Sequence, residues 1–548
     1  MSPSSRFPSS LSRRAFVATG GAAVLTSRYR GTIARQSSPG RALVETTLGR
    51  IEGVQHDGYA TFEGIPFAQP PVGDLRWVAP QPVDAWGDVI LDATTPGPVA
   101  VQVPIPFLPY DETGEDCLYL NVWVPGTPEE GALKPVIVFI HGGANLFGSG
   151  SEYLAPRMTA SEDVLVVTFN YRLGIFGAFS FPDLPDSGSF GLLDQHMALQ
   201  WVRDHIAAFG GDPGNVTLMG HSWGGLAVSA HLVSPLSKGL FHRAIIQSGV
   251  AFSDMPAGSM GSNIPATRSM WTTAEERNPV TAALLEELRV VNGEDVVDQL
   301  RRLPAGVLSA FSGRYVAYEW GNRFLPEHPV EATLAGRTHP VPVISGSTRD
   351  EARLLVTLDQ LASGLFGGMS EEVYRERLDT AFGDDAEAIL SAYPVEAFPS
   401  PEVAWATVLT DRVWAKPTLA QHRAYAAAQP TWTYEFRDRE APTGEFRVSG
   451  ENSAGAYHSS EMAYLFDVRQ PAGLAASQRR LAAMMTRYWA NFARSGDPAD
   501  PDLPVWEPYT GGDMVLGLDD GPNGIAPVDF VTGHQIAFWR EHGDIPEG

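Results

Sequence analysis

Two near-continuous apolar runs set the strongest limit on how this chain folds. The segments KPVIVFI (134–140) and DVLVVTFNY (163–171) are rich in Val, Ile and Phe and show no alternation of apolar and polar residues. Such strands are buried on both faces, which is typical of parallel strands covered by helices. Helical spacing follows in LLDQHMALQWVRDHIAAF (192–209) and RRLAAMMTRYWANFARSG (479–496). The sequence therefore predicts an α/β fold with a mostly parallel central sheet covered by helices.

The segment MGHSWGG (219–225) contains the one Gly-x-Ser-x-Gly match in the chain. An apolar strand pattern precedes it and a helical pattern follows it, which is the context in which a strained turn exposes a serine oxygen. Gly220 and Gly224 would let the strand and the helix approach each other closely. The pattern favours Ser222 as a nucleophile over its alternative, a tight structural turn.

A second glycine-rich loop follows the strand that ends at Ile140. His141, Gly142, Gly143 and Ala144 come directly after it, and their backbone N–H groups could point at a substrate carbonyl. The loop is a candidate oxyanion hole, and its alternative is a simple glycine turn.

A serine nucleophile needs a base, and the base needs an acid to orient it. Among thirteen histidines, His458 in GAYHSSEMAYLF (455–466) lies in a predicted loop beyond Ser222. His221, beside the serine, is expected to point away and to be structural. The segment VPVISGSTRDE (341–351) ends a predicted strand and offers Asp350 and Glu351, and the residues alone leave both open.

Charge and cysteine content narrow the remaining possibilities. The formal net charge is −25, and residues 1–41 hold seven arginines and no acidic residue, which leaves 32 basic against 64 acidic residues in the rest. A protein whose residues after 41 carry this excess of negative charge repels nucleic acids and anionic lipid surfaces. Since no segment holds about 18 uninterrupted apolar residues, we expect neither a nucleic-acid partner nor stable membrane insertion. The one cysteine, Cys117, precedes a strand that would bury it, which makes it a poor nucleophile.

The basic first segment is typical of a targeting signal. SRRAFVATGGAAVL (12–25) places Arg13 and Arg14 before a weakly apolar stretch, similar to a bacterial twin-arginine export signal. The alternative is a disordered basic tail. We therefore predict an export segment over residues 1–41, a catalytic domain over 42–548, and a periplasmic or extracellular location.

Taken together, these segments resemble the type-B carboxylesterase family, which includes bacterial nitrobenzyl esterases, lipases and cholinesterases. The similar segments occur in the family's order from about Leu43 to Trp539. They are FEGIPFAQPPVGDLRW, EDCLYLNVWVP, IHGGANLFGSG, NYRLGIFGAF, FGGDPGNVTLMGHSWGG, RAIIQSG, STRDEARLL, GAYHSSEMAYLF and YWANFARSGDP.

The resemblance implies an α/β-hydrolase fold with insertions around the active site, and a serine hydrolase that cleaves carboxylic esters. It implies Ser222 as nucleophile, Glu351 rather than Asp350 as acid, and His458 as base. It places the oxyanion donors on the backbone amides of Gly143, Ala144 and Trp223. The reaction implied needs a small-molecule ester and water, with no metal and no organic cofactor.

Three positions depart from the family pattern. His221 and Trp223 occupy the places where the family usually has Glu and Ala. The bulky indole either lines the acyl pocket or packs into the core. The cysteine expected to pair with Cys117 would fall in GPVAVQ (97–102), where Ala100 stands instead, so the implied disulfide is lost.

Two other functions fit parts of the same pattern. A lipase, an amidase or another acyl hydrolase would use the same machinery, because preference for the leaving group depends on pocket loops. A non-catalytic adhesion-type member of the family is the more remote alternative, since such members lack a complete Ser, Glu and His set.

Replacing both Arg13 and Arg14 by Lys is expected to retain active enzyme in the cytoplasm. Twin-arginine transport accepts folded cargo, and a chain with one cysteine needs no internal disulfide to fold. Fractionation of cells followed by an esterase assay measures the distribution. Unchanged export of the double variant would instead indicate that the segment is a disordered basic tail or that export uses another route.

Overall fold

A mixed sheet of thirteen strands forms the centre of the described chain. The computed structural model describes residues 40–103, 110, 112–126, 133–182, 184–249, 251–259, 261–262, 264–291, 293, 295–363, 368–443, 454–468 and 473–543. The predicted export segment therefore lies outside the described residues except for its last two positions. In chain order the strands are β1 Gly40–Thr46, β2 Gly49–Gln55, β3 Tyr59–Pro66, β4 Gly87–Asp92, β5 Tyr119–Pro125, β6 Lys134–Ile140, β7 Leu165–Phe169, β8 Gly211–His221, β9 Arg243–Gln247, β10 Val343–Thr348, β11 Thr431–Phe436, β12 Met514–Leu518 and β13 Ile525–Asp529.

The centre of the sheet is parallel and its two edges are antiparallel. The spatial order is β1-β2-β3-β5-β7-β6-β8-β9-β10-β11-β12-β13, with β4 paired along β2. All six pairings from β7 to β12 are parallel, whereas the β1–β2, β2–β3, β3–β5, β5–β7 and β12–β13 pairings are antiparallel. Strand β4 pairs with β2 in parallel. The mostly parallel sheet predicted from the apolar runs is confirmed.

Helices follow most of the parallel strands and cover the sheet. They are α1 Pro156–Glu162, α2 Gly174–Ala178, α3 Phe190–His205, α4 Trp223–Val233, α5 Ala274–Glu287, α6 Val296–Arg301, α7 Ala305–Ser309, α8 Pro329–Leu334, α9 Ala352–Ser363, α10 Glu371–Phe382, α11 Ala386–Ala392, α12 Pro401–Leu409, α13 Lys416–Ala428, α14 Met462–Leu465, α15 Ala476–Ser495, α16 Phe530–Gly533 and α17 Ile536–Trp539. A π-helical turn, Thr410–Ala415, joins α12 to α13. No helix of the described ranges is both long and apolar enough to span a bilayer.

Both faces of the sheet are buried, which explains why its central strands are continuously apolar. In β6, Val136, Val138 and Ile140 pack into the layer with α3 and α4. Ile137 and Phe139, which alternate with them, pack into the layer with α15. All five side chains are fully buried. A strand with one solvated face would have needed polar residues at every second position.

Parallel pairing brings several strand ends to one edge of the sheet. The carboxyl ends of β6, β8, β9 and β10 are neighbours in the sheet at Ile140, His221, Gln247 and Thr348. In open α/β sheets this edge is where ligands bind. The two loops and the acidic segment singled out in the sequence all follow these ends.

A buried ion cluster fixes the C-terminal segment to the sheet. The imidazole of His534 is within 2.5 Å of Asp411 Oδ1 through Nδ1 and of Glu435 Oε1 through Nε2. All three side chains are buried. Burial alone would lower the pKa of His534, and Arg349 adds to this, but the two carboxylates outweigh both and raise it.

Replacing His534 by Ala is expected to destabilise the fold by about 3–5 kcal/mol, because two buried carboxylates lose their partner. Since the pKa of folded His534 is raised, the stabilisation is complete below the ordinary imidazole value of 6.5 and is lost as pH rises through the folded pKa. The melting temperatures of wild type and variant should therefore differ most below pH 6.5, the ordinary imidazole value. The control is His542→Ala, because His542 forms a partly exposed pair with Asp385. An equal effect of both substitutions would contradict the prediction.

Candidate active site

Ser222 lies on a strained turn between β8 and α4. Its backbone has φ 57° and ψ −122°, a conformation that non-glycine residues rarely adopt. The turn is held by a hydrogen bond from Ser222 N–H to the backbone oxygen of Gln247 at the end of β9, at 2.8 Å. The strand-turn-helix context predicted for the serine is therefore present, and the serine is presented at the carboxyl edge of the sheet.

The turn requires two glycines where β8 and α4 approach each other. A Cβ on Gly224 would collide with the backbone oxygen of Ile140 and lie 2.7 Å from that of His141. A Cβ on Gly220 would collide with the backbone of Gly224. Contacts this short do not occur for real side chains, so both positions need glycine for space.

A continuous chain of hydrogen bonds joins three of the predicted residues. His458 Nε2 lies 2.7 Å from Ser222 Oγ, and His458 Nδ1 lies 2.5 Å from Glu351 Oε2. The backbone N–H of His458 also donates to the backbone oxygen of Glu351 at 3.3 Å. The imidazole is therefore oriented from one side by a carboxylate and faces the serine with the other nitrogen.

Glu351 is completely buried and each of its carboxylate oxygens has partners. Besides the imidazole, it accepts hydrogen bonds from Ser248 Oγ at 2.6 Å and from the backbone N–H of Thr348 at 2.7 Å. Such donors stabilise an ionised carboxylate in a buried place. Sequence reasoning did not identify Ser248, although RAIIQSG was among the similar segments and its serine directly follows β9.

Asp350, the alternative acid, points to a different set of partners. Its two oxygens accept from Arg439 Nε at 2.9 Å and Nη2 at 3.0 Å, and one also accepts from the backbone N–H of Ala456 at 3.0 Å. The backbone N–H of Asp350 in turn donates to the oxygen of Ala456 at 2.9 Å. Asp350 thus anchors the loop that contains His458 without contacting the imidazole.

The glycine loop after β6 packs directly on the serine. A Cβ on Gly142 would lie 2.8 Å from Ser222 Cβ, so only glycine fits between the loop and the turn. Gly143 and Ala144 have positive φ, 105° and 53°. Within the described residues, the backbone N–H groups of Gly143, Ala144 and Trp223 donate no hydrogen bond to the protein. Unpaired backbone donors on the serine turn and on the loop packed against it are the kind of group that stabilises a negatively charged oxygen.

The two residues that depart from the family pattern flank the serine. His221 is buried, and its ring centroid lies 4.8 Å from that of His458. Burial holds the pKa of His221 well below its ordinary value, and His458 adds to this, so His221 is neutral. Trp223 is half-buried, and its indole packs against the ring of Tyr318 at 5.4 Å. The structure thus places the ring of His221 beside the ring of His458.

Cys117 and Ala100, the positions of the implied but absent disulfide, lie together. Both are buried in the same apolar cluster and line one small cavity. Burial raises the pKa of the Cys117 thiol, and the nearby Asp194 adds to this. Cys117 is a side chain of the core.

Comparisons with known proteins give the same assignment over nearly the whole chain. A model of the carboxylesterase family matches residues 40–539. The para-nitrobenzyl esterase of Bacillus subtilis (strain 168) is 32% identical over 485 residues, which cover 83% of this chain and 90% of that protein. The protein belongs to the carboxylesterase family. Human cocaine esterase is also 32% identical, over 527 residues that cover 90% of this carboxylesterase and 89% of the human protein.

Solved structures confirm the fold of this carboxylesterase. A PNB esterase structure superposes with a TM-score of 0.72 at 30% identity, covering 91% of this chain and 99% of that one. A thermophilic PNB esterase gives a TM-score of 0.71 at 29% identity. The α/β-hydrolase fold that the resemblance implied is confirmed, and the protein is a serine hydrolase of carboxylic esters.

Glu351→Gln is expected to reduce ester hydrolysis by on the order of 10⁴-fold, because an amide in place of the carboxylate favours the wrong imidazole tautomer. Asp350→Asn should cost far less, since Asp350 contacts Arg439 and Ala456 and not the imidazole. Measuring kcat for both variants on one activated ester makes the comparison. The reverse ranking would assign the acid to Asp350.

Proposed function

We propose that this carboxylesterase works through Ser222, His458 and Glu351 as nucleophile, base and orienting acid. The observation that supports this most directly is the unbroken hydrogen-bond chain from Ser222 Oγ through both imidazole nitrogens to Glu351. The strained backbone of Ser222 and the packing of the Gly142 loop on it are independent support.

In the proposed first half-reaction, Ser222 Oγ attacks the ester carbonyl carbon while His458 Nε2 accepts the hydroxyl proton. The carbonyl oxygen becomes negatively charged and accepts hydrogen bonds from the amides of Gly143, Ala144 and Trp223. His458 then gives the proton to the departing alcohol oxygen, and the acyl group stays on Ser222.

In the second half-reaction water takes the place of the alcohol. His458 removes a proton from water as it attacks the acyl carbon, and then returns that proton to Ser222 Oγ, which releases the acid. Glu351 stays ionised throughout and stabilises the imidazolium, while Ser248 and the Thr348 amide satisfy its other oxygen. The proposed oxyanion donors are main-chain N–H groups. Their hydrogen bonds do not depend on the side chains of Ala144 and Trp223.

We further propose that the substrates are small-molecule carboxylic esters and that the enzyme is exported by way of Arg13 and Arg14. Support for the substrate class comes from relatives named para-nitrobenzyl esterase and cocaine esterase. Support for export comes from the twin arginines and the basic, acid-free segment around them.

A substrate panel distinguishes the ester hydrolase from the lipase and amidase alternatives. We expect soluble para-nitrophenyl esters of short and medium acyl chains to react far faster than the matching anilides or emulsified triglycerides. Fastest turnover of an emulsified triglyceride would support a lipase, and fastest turnover of an anilide would support an amidase.

Ser222→Ala is expected to reduce turnover of an activated ester by on the order of 10⁶-fold with the fold intact, because the nucleophile is lost. A fluorophosphonate probe should label wild type at Ser222 and leave the variant unlabelled, as read by mass spectrometry of the peptide. The matched control is Ser391→Ala, at an exposed helical serine. A folded Ser222→Ala enzyme with more than a few per cent of wild-type activity would refute the assignment.

A further inference from the structure

Trp223 is the one residue of helix α4 that stays partly exposed. Every residue from Gly224 to Val233 is buried, whereas Trp223 and the preceding Ser222 are both half-buried. His221, on the other side of Ser222, is buried. The nucleophile and the indole beside it are therefore the two parts of this turn that a molecule outside the core can reach.

The direction of the Trp223 side chain follows from the two glycines after it. Successive residues of an α-helix point about 100° apart around the helix axis. A Cβ on Gly224 would collide with the backbone oxygen of Ile140 at the end of β6. A Cβ on Gly225 would lie 2.9 Å from Cα of Gly249, just after β9. Both glycines thus face the sheet, so Trp223 points away from it and does not pack between α4 and the sheet.

The indole packs instead against a segment that lies outside the central sheet. Its ring centroid is 5.4 Å from that of Tyr318, and the ring of Tyr318 is 6.2 Å from that of Trp271. Tyr318 and Trp271 are buried, and each begins one of two short strands, Tyr318–Trp320 and Trp271–Thr273, that pair in parallel. A row of three aromatic rings therefore runs from the nucleophile turn to this segment.

The same segment contacts the loop that packs on the nucleophile. The side-chain amide of Asn145, the residue after Ala144, donates to the backbone oxygens of Tyr315 at 3.4 Å and Val316 at 3.1 Å. Asn145 is buried and has a positive φ of 59°. The glycine loop, this segment and the indole of Trp223 thus form one connected group beside Ser222.

The proposed base has a different set of neighbours. The ring centroids of His221 and Trp414 lie 4.8 Å and 6.1 Å from that of His458. Among the ring contacts of the described residues, neither of these two rings packs against Trp223 or Tyr318. The imidazole and the indole therefore approach Ser222 from different sides.

The chemistry of the proposed reaction assigns these two sides to the two halves of the ester. Once Ser222 Oγ is bonded to the carbonyl carbon, that carbon also carries the oxyanion, the alkoxy oxygen and the acyl chain. The oxyanion faces the backbone donors, and the alkoxy oxygen must lie near His458 Nε2, which protonates it. The acyl chain takes the remaining direction, away from His458 and towards the indole of Trp223.

We propose that Trp223 is a specificity-determining residue that closes the acyl side of the site and limits this carboxylesterase to esters of short acyl chains. The inference rests on the proposed roles of Ser222 and His458. An indole has roughly 150–250 Å² of surface to bury, so it occupies the space that several methylenes of a longer acyl chain would need. The alcohol half of the ester lies beside His458, and Trp223 does not limit its size.

The first test measures kcat/KM for para-nitrophenyl acetate, butyrate, hexanoate and octanoate. In wild type we expect kcat/KM to fall from butyrate to octanoate. In Trp223→Ala it should rise over the same range by about fourfold for each added methylene, because the freed volume buries the chain. The ratio of hexanoate to acetate should therefore be on the order of 100-fold higher in the variant than in wild type.

A second substitution makes the result independent of the stability of the alanine variant. Trp223→Phe keeps a ring against Tyr318 and frees a smaller volume, so its profile should lie between those of wild type and Trp223→Ala. The matched control is Trp320→Ala. Trp320 is also half-buried against the same apolar cluster, and its ring packs on that of His328 at 5.4 Å. Trp320→Ala should keep the wild-type acyl profile.

The second test keeps the acyl group constant and varies the alcohol. The relative kcat/KM values for ethyl, butyl and hexyl acetate should be the same in Trp223→Ala as in wild type, because the leaving alcohol lies beside His458. A changed alcohol series with an unchanged acyl series would overturn the inference, since the indole would then border the leaving group.

Two further outcomes would also overturn the role of Trp223. One is a lower melting temperature of Trp223→Ala with an unchanged acyl profile, which is the result of a purely structural role. The other is an equal loss of kcat/KM for every acyl chain. The Ser222→Ala assay separates these from failure of the proposed function, because full activity of that variant would refute the nucleophile. An inactive Ser222→Ala enzyme with an unchanged Trp223→Ala profile would refute only the role of Trp223.

Discussion

The close approach of β8 to α4 is the constraint on which the rest of the site depends. Gly220 and Gly224 let the backbones meet without side chains, and the resulting turn forces Ser222 into a conformation that its own side chain disfavours. That strain persists because Gln247 holds the turn and both flanking elements are buried. The rigid turn fixes the position of the Ser222 hydroxyl relative to the loop after β6, so a small change in either element would misalign the site.

Two buried glutamates near one histidine illustrate how environment sets the state of a carboxyl group. Glu351 has hydrogen-bond donors on both oxygens and can remain charged in the core. Glu461 has none among the described residues, and burial favours its neutral form. If both were charged they would repel each other across a medium that screens poorly. The donor set around Glu351 is therefore as much a part of the site as the carboxylate itself.

Sequence patterns predicted those parts of the structure that rest on local chemistry. The continuous apolar runs predicted the parallel strands β6 and β7, because a strand buried on both faces carries apolar residues at nearly every position. The turn at Ser222 was found because its glycines and flanking elements are contiguous in the chain. The choice between Asp350 and Glu351 needed the family resemblance. The two acidic residues are adjacent in one turn, and the sequence does not show in which direction each side chain points. Ser248 and Gln247 were missed because their contacts arise from parallel strand pairing, which brings together residues roughly 100 positions apart.

The side chains that flank the nucleophile show which features of the site are free to change. The proposed oxyanion donors and the strained turn are properties of the backbone, so Trp223 can stand where the family usually has alanine while its N–H stays in place. His221 stands where the family usually has glutamate, and burial keeps it neutral against the ring of His458. An ionised carboxylate at that position would stabilise the imidazolium that forms during the reaction, whereas a neutral imidazole does not. In the proposed mechanism, stabilisation of the imidazolium by buried charge therefore depends on Glu351, which makes the hydrogen bonds from Ser248 and the Thr348 amide to that one carboxylate correspondingly more important.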